Sequence, residues 1–402
     1  MTSAHVVHFG DLHLRWSEAR RTEQREARDL VRQAIDDALA IGRISAWIWP
    51  GDLNDGPMTI ADRNFLAETL CRMAEYAPVF IAYGNHDRPH DLDVFRLLRA
   101  LHLVVVADKP GVYTLNGVSV ALLPYPSKSA LVAAGGTRED TAASGAHALE
   151  AIVDGLARQL EDAPGSIKIV AGHLNVAGSL ASTGQPQIGR ELEISPALLE
   201  RFAAGVPIAL NHIHAAQTVG RATYAGSMSR LSWGETEPKR FVVYRYGSDR
   251  EAEVISVPIK TPPMYHVEAV VGHGVAQVDP EVRRDINPGA DVRVRFDYPA
   301  NDRELLKTIT HQLKTIEFPD ARTLKIEPHA VPAGDIRAPG VAAAETLEDK
   351  VAAWLHETSE DAETRGRVSA KLLKLQQLDE AGVLASVRQA LDGDTGDERG
   401  TA

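Results

Sequence analysis

Three short polar stretches each end an apolar run: Phe9-Gly10-Asp11-Leu12-His13, Pro50-Gly51-Asp52-Leu53-Asn54-Asp55 and Tyr83-Gly84-Asn85-His86-Asp87. Gly172-His173 and Asn211-His212-Ile213-His214 follow the same format further along. Carboxylates, an amide and imidazoles delivered to one place make a metal site, because all of them offer lone pairs to a cation. The candidate ligands are Asp11, His13, Asp52, Asn85, His173, His212 and His214. Such a set can hold two divalent cations if one carboxylate bridges them. Two cations about 3.5–4 Å apart would stabilise both the attacking and the leaving oxygen of an in-line displacement at phosphorus. The mixed oxygen and imidazole donors favour manganese, iron or zinc over calcium, with manganese first. Any one of these residues alone would more often cap a turn or pack in a core. The signal lies in one format repeated at five strand ends. His5, His8, His90, His102 and His147 lack that format and read as structural.

The elements that must position these residues are short strands. Ala4 to Phe9, Ser45 to Trp49 and Pro78 to Ala82 are brief, apolar and rich in Val, Ile and aromatics, which reads as buried strand rather than helix. Glycine lets the chain turn sharply where each strand stops. Between them lie amphipathic helical patterns: Ser17 to Ile41, rich in Arg on its solvent side, then Ile60 to Tyr76, and Leu92 to Leu101 after the third strand. This is an α/β layout with its ligands at the carboxyl ends of strands, where open sheets bind. Asn116-Gly117 between Val112–Leu115 and Val118–Leu123 predicts a type I′ hairpin. Ser127 to Ser144 reads as a loop, Leu149 to Leu160 as a helix, and Ile167 to Ala171 as a further buried strand. Ser195-Pro196 has the capping serine and first-turn proline of a short helix.

The chain's 402 residues exceed one typical domain. Its 44% hydrophobic and 24% charged residues exclude global disorder. A net charge of -12 argues against a globally basic surface for nucleic acid, so a polyanionic substrate needs local arginines or metal ions. The single cysteine, Cys71, is expected on a buried helix face and cannot form an internal disulfide, which fits a reducing cytoplasm. No stretch approaches 18 uninterrupted apolar residues, and the first residues lack a basic region followed by an apolar run. The expectation is a soluble, cytoplasmic protein with no membrane partner.

The order Asp-x-His, Gly-Asp-x-x-Asp, Gly-Asn-His-Asp, Gly-His, His-x-His resembles the calcineurin-like metallophosphoesterase superfamily from Phe9 to His214. Asn211 departs from it, since glycine commonly precedes His-x-His. A narrower resemblance is to SbcD-type DNA repair nucleases. It is carried by Asp11-Leu12-His13-Leu14, by Asn211 to Gln217, and by Thr223-Tyr224-Ala225-Gly226-Ser227-Met228-Ser229-Arg230-Leu231-Ser232-Trp233-Gly234-Glu235. The resemblance implies an α-β-β-α fold, a β-sandwich flanked by helices, with a small α+β capping domain and a helical C-terminal tail. It implies that Asp11, His13 and His214 hold one metal, Asn85, His173 and His212 the other, with Asp52 bridging and manganese as the expected ion. His86 would be the catalytic histidine, oriented by Asp87.

The domains expected on this basis are residues 1–260, the phosphoesterase; 261–335, a capping domain governing access of DNA ends; and 336–402, a linker and helical tail. Thr261-Pro262-Pro263 marks the first boundary and Pro332 to Pro339 the linker. The family's partners are double-stranded DNA ends and hairpins, an SMC-like ATPase of the SbcC type, and a second copy in a homodimer. The function implied is a DNA exonuclease and endonuclease in recombination and repair. Another metallophosphoesterase acting on nucleotides or phosphoproteins, or a non-catalytic subunit holding DNA ends, are the alternatives. Arg15, Arg20, Arg21, Arg25 and Arg28 could flank a phosphate path, as could Lys239 and Arg240, although such residues are usually just solvated. Leu347, Val351, Trp354 and Leu355 could pack on a partner or on the chain's own core.

Overall fold

A computed structural model describes residues 4–17, 20–126, 141–185, 193–247, 251–272, 275–300, 302–331, 346–357 and 362–376. The first half alternates strand and helix: β1 (Ala4–His8), α1 (Arg21–Ile41), β2 (Ile44–Trp49), α2 (Ile60–Ala74), β3 (Val79–Ala82) and β4 (Val104–Ala107). There follow β5 (Gly111–Leu115), β6 (Val118–Leu123), α3 (Thr141–Asp162), β7 (Ile167–His173), β8 (Asn175–Val176), β9 (Glu193–Ile194), α4 (Pro196–Leu199) and β10 (Ile208–Asn211). The strands β11 (Gln217–Val219), β12 (Ala222–Tyr224), β13 (Lys239–Tyr246) and β14 (Ala252–Ile259) complete two six-stranded sheets. One sheet has the order β14-β13-β1-β2-β3-β4, with β1 to β4 parallel; the other has the order β11-β12-β10-β7-β6-β5.

Period-two alternation explains the layering. On β3, Phe80 and Ala82 face a core shared with Val118, Val120 and Leu122 of β6, so the two sheets pack face to face. Val79 and Ile81 turn the other way, onto Leu66, Leu70 and Met73 of α2 and Val31 and Ile35 of α1. On the second sheet, Val170 and Leu210 meet Leu149, Val153 and Leu156 of α3. The result is an α-β-β-α sandwich, as the family resemblance implied. Strands buried on both faces explain the near-continuous apolar runs. Trp47 and Trp49 are wholly buried, and their indole N–H groups donate to Met73 O at 2.9 Å and Gly10 O at 2.7 Å. Truncating aromatics so buried costs about 3–5 kcal/mol. The second of these bonds also pins the loop leaving β1.

The hairpin at Asn116-Gly117 forms with both residues at positive φ, 51° and 80°. Ser195 caps α4, accepting from Ala197 N. The helix expected over Leu92–Leu101 is instead a 3₁₀ turn, Asp93–Leu97, leading to β4, a strand the sequence reading missed. Arg96 accounts for the difference, since its Nε donates to Val106 O at 2.9 Å and ties the turn to the strand. Cys71 lies on α2 but is only partly buried. Most of the expected 127–144 loop and the whole 332–339 linker lie outside the described residues.

By its contacts the chain divides into two compact units. One comprises Met1–Glu268, Val278–Val294 and Ile316–Ile326; the other comprises Ala269–Gln277, Arg295–Thr315 and Glu327–Ala402. The first contains the sandwich. In the second, the hairpin β15 (Val270–Gly272) and β16 (Val275–Gln277) is held by Gln312, whose side chain bonds both the N–H and the carbonyl of Ala276. Gln312 ends a helix, Arg303–Gln312, capped by Asp302. The helices Leu347–Glu357 and Ala362–Gln376 belong to the same unit, with Leu355 buried and Leu347 and Trp354 exposed. No helix among the described residues is long and apolar enough to cross a membrane.

Candidate metal centre

The loops after β1, β2, β3 and β10 and the last residue of β7 bring all seven candidate ligands into one cluster. Its middle is Asp52. His13, Asp52 and His86 offer donor atoms within 4.8 Å of one another, and so do Asp52, His173 and His212. One carboxylate therefore belongs to two groups. Asp52 Oδ2 lies 3.4 Å from His13 Nε2 and 3.2 Å from His173 Nε2. Asn85 Oδ1 completes the second group, 2.9 Å from His173 Nε2 and 3.0 Å from His212 Nδ1. Asp11 accepts from the His212 backbone N–H at 3.1 Å and stands 3.8 Å from His173 Nδ1. The His13 and His214 rings meet edge-on at 5.0 Å.

The local backbone is what makes this convergence possible. His13, Asp52 and His212 all have positive φ, at 49°, 51° and 103°. Non-glycine residues adopt that region at a cost and persist there where the surroundings over-determine them, a pattern common at functional sites. A Cβ on Gly84 would sit 2.0 Å from Asp52 Oδ1 and 2.4 Å from Asp52 N, so only glycine lets the β3 loop approach the β2 loop. Gly10 meets the same limit against Gly226 O, at 1.9 Å. Asp11 is then locked to that strand end, with its N–H on Gly226 O and its carbonyl accepting from Met228 N.

The donor chemistry fits a cation. His173 Nδ1 faces the Pro50 carbonyl at 2.8 Å, and a carbonyl only accepts, so Nδ1 carries the proton. Neutral His173 thus presents a lone pair at Nε2 to two further acceptors, Asn85 Oδ1 and Asp52 Oδ2. Three lone pairs converge on a space that only a proton or a cation can satisfy. Without a cation the proton is held: burial opposes it, but Asp52 and Asp11 raise His173 to about 9. His13 Nε2 is buried with no hydrogen bond, and burial lowers His13 to about 3, leaving it neutral. Burial likewise raises Asp11 to about 7, whereas at Asp52 the charge and hydrogen bond of the adjacent His173 outweigh burial and hold it well below the usual carboxylate range. His214 donates from Nδ1 to Glu235 Oε1 at 3.0 Å, the carboxylate-to-imidazole arrangement that frees the other nitrogen for a metal.

His86 stands at the rim, its side chain 43% exposed and its ring 4.6 Å from that of His13. The expected partner, Asp87, does not touch the His86 ring. The Asp87 carboxylate is used on backbone N–H groups, accepting from Asp52 at 2.8 Å, Gly84 at 2.9 Å and Asn54 at 3.0 Å, and so clamps the β2 and β3 loops together. Asp55 takes the orienting place, with Oδ1 3.1 Å from His86 Nδ1. This hydrogen bond raises His86 and holds the Asp55 carboxyl at about 2. The Gly-Asp-x-x-Asp spacing carried that signal, since its last residue was otherwise without a role. Two further residues went unread: Gln185, which bonds His212 O and His214 N, and Glu235. Of the arginines and lysines considered for a phosphate path, Arg28 is committed to Asp62 at 2.8 Å and Lys239 is buried against Glu235 at 2.7 Å. Asn211, the departure from the usual glycine, reaches across to β1, with Oδ1 2.9 Å from His8 Nε2 and Nδ2 donating to Phe9 O.

Residues 4–208 match the calcineurin-like phosphoesterase family, a span that stops just short of His212 and His214. The D subunit of the nuclease SbcCD from Bacillus subtilis (strain 168) is 26% identical over 257 residues, 57% of this chain and 63% of that protein, so the chain spans less than two thirds of that relative's length. The crystal structure of TT1561 of Thermus thermophilus aligns at 13% identity and a TM-score of 0.37, covering 64% of this chain and 100% of that one. With half its length matched and the family's ligand pattern gathered around one shared carboxylate, the chain belongs to the calcineurin-like phosphoesterase family and is a hydrolase.

Proposed function

We propose that this hydrolase is a divalent-metal-dependent DNA nuclease, exonuclease and endonuclease, acting as the nuclease subunit of an SbcCD-like repair complex. The observation that carries the diesterase reading is Asp52, shared between a group with His13 and His86 and a group with His173 and His212, His86 being the exposed member. The DNA reading is supported by the similarity to a nuclease subunit. Asp11, His13 and His214 would hold one cation, and Asn85, His173 and His212 the other, with Asp52 between them. Manganese is the expected ion for this donor set. Bound divalent cations there supply charge neutralisation at phosphorus and activate water near neutral pH.

The chain's own residues do the rest. Asp55 holds the His86 ring by Nδ1 and favours its protonated form. His86 is then a general acid that gives its Nε2 proton to the departing ribose oxygen. Asp87 fixes the loops that carry Asp52 and Asn85. Residues 261–335 would restrict how duplex ends and hairpins reach the centre, and residues 336–402 would dock on an SbcC-type ATPase. A homodimer in the cytoplasm completes the reading. The net charge of -12 favours one alternative, a nucleotide phosphoesterase, because it weakens non-specific attraction to DNA. End-labelled duplex DNA and bis-para-nitrophenyl phosphate, each with manganese, separate the two. Shortening of the DNA, lost on His86→Ala and with chelator, is the expected result; hydrolysis of the small diester with intact DNA would leave the nucleotide reading.

A further inference from the structure

The loops leaving β1, β2 and β3 are laced edge to edge. Leu14 N–H donates to Leu53 O at 3.0 Å, Asp55 N–H to Leu14 O at 2.8 Å, and Gly56 N–H to His86 O at 3.0 Å. Short parallel bridges pair Leu14 with Asn54 and Gly56 with Asp87. The next residue beyond each outer member of this lacing is an arginine: Arg15 after Leu14, and Arg88 after Asp87. Asp55 lies on the middle loop, and His86 lies on the β3 loop two residues before Arg88. Both arginines are exposed. Arg15 touches one carboxylate, its Nη1 3.3 Å from Asp55 Oδ2, while its backbone is fixed by Gln24 Oε1 at 3.1 Å. Among the described residues the Arg88 guanidinium has no ion pair.

The neighbouring arginines are used differently. Arg28 lies against Trp16 and Phe65 and pairs with Asp62, Arg20 pairs with Glu23, and Arg32 with Asp29. An exposed arginine is usually just solvated, and Arg15 alone could be read as a counter-charge for Asp55. Arg88 has no carboxylate to offset, yet it stands two residues from His86 on a loop fixed at both sides. A guanidinium offers forked N–H donors that match phosphate oxygens.

We propose that Arg15 on the β1 loop and Arg88 on the β3 loop, at the two outer edges of the lacing that carries Asp55 and His86, form a clamp for the non-reacting phosphates of a polynucleotide strand. It rests on the phosphodiesterase reading and adds the specificity: binding energy from neighbouring phosphates holds the reacting diester in place. A strand with consecutive phosphates is then a better substrate than an isolated diester.

The test uses the full chain with manganese, comparing wild type, Arg15→Ala, Arg88→Ala, the double variant and the Lys replacements. Substrates are a 5′-fluorescein oligothymidylate and bis-para-nitrophenyl phosphate. The clamp predicts that kcat/KM on the oligothymidylate falls roughly tenfold per alanine, mainly through KM. The ratio of oligothymidylate to small-diester kcat/KM falls with it, and lysine restores part of the loss. A second readout is anisotropy of the labelled strand on a His86→Ala background as salt is raised. Each arginine removed should make the log–log slope shallower by about 0.7 to 1. An unchanged ratio, with both substrates falling in parallel and the pH profile displaced, would overturn the clamp and leave Arg15 acting only through Asp55. Weaker competition by thymidine triphosphate with an unchanged oligothymidylate slope would overturn it in favour of a polyphosphate site. Wild-type protein inert on both diesters would instead refute the phosphodiesterase reading, with the binding slope still judging the arginines.

Discussion

At the scale of single residues, the acid–base pair decides the pH behaviour. Asp55 raises His86 through a hydrogen bond, so its removal lets His86 lose its proton at lower pH. If His86 must be protonated to release the leaving oxygen, Asp55→Asn moves the alkaline limb of the rate profile towards acid and lowers kcat roughly 10–100-fold. A profile on bis-para-nitrophenyl phosphate that does not move would separate Asp55 from the chemistry. The sequence marked His86 clearly, because Gly-Asn-His-Asp places it beside a ligand. It could not say which carboxylate serves it. Asp87 is adjacent in the chain, but side chains of consecutive residues after a strand diverge, and Asp87 turns inward to three backbone donors.

At the scale of elements, the centre depends on loops approaching more closely than side chains allow. Gly84→Ala would push a methyl group into the backbone and carboxylate of Asp52. The expected outcome is a loss of about 1–3 kcal/mol of stability together with loss of metal binding, read by thermal melting and manganese titration of the same sample. A variant with normal melting and normal binding would show that the loops have slack. Strands ending in Gly-Asp or Gly-Asn were legible as apolar runs with breakers, and so was the Asn116-Gly117 hairpin. β4 was not legible, since Leu92 to Leu101 carries helical spacing that the tie from Arg96 to β4 overrides. The left-handed backbone at His13, Asp52 and His212 was equally hidden: Asp and His enter that region more readily than most residues, but too rarely for residue type alone to mark it.

At the scale of the whole molecule, two sheets packed face to face bury the site's carboxylates at the sandwich edge, and that burial sets how the protein exchanges protons for metal. The sandwich and five of its ligand-bearing loops could be read from strand patterning; the partners of the imidazoles could not, since Glu235 and Gln185 reach the His-x-His turn only after folding. Asp11 is raised by burial to about 7 from its unperturbed 3.8. Its folded pKa lies above the unfolded value, so it contributes stability below about pH 4 that is lost as pH rises towards 7. A cation reverses that loss by pairing the charged form, and it must displace the protons on Asp11 and His173. The most direct measurement is calorimetric titration of metal-free protein with manganese at pH 8 and pH 5.5. A centre built around Asp52 should take up two ions per chain at pH 8, bind more weakly at pH 5.5 with protons released, and lose both ions in Asp52→Asn. A single ion, or none, at pH 8 in the wild type would contradict a centre built around one shared carboxylate.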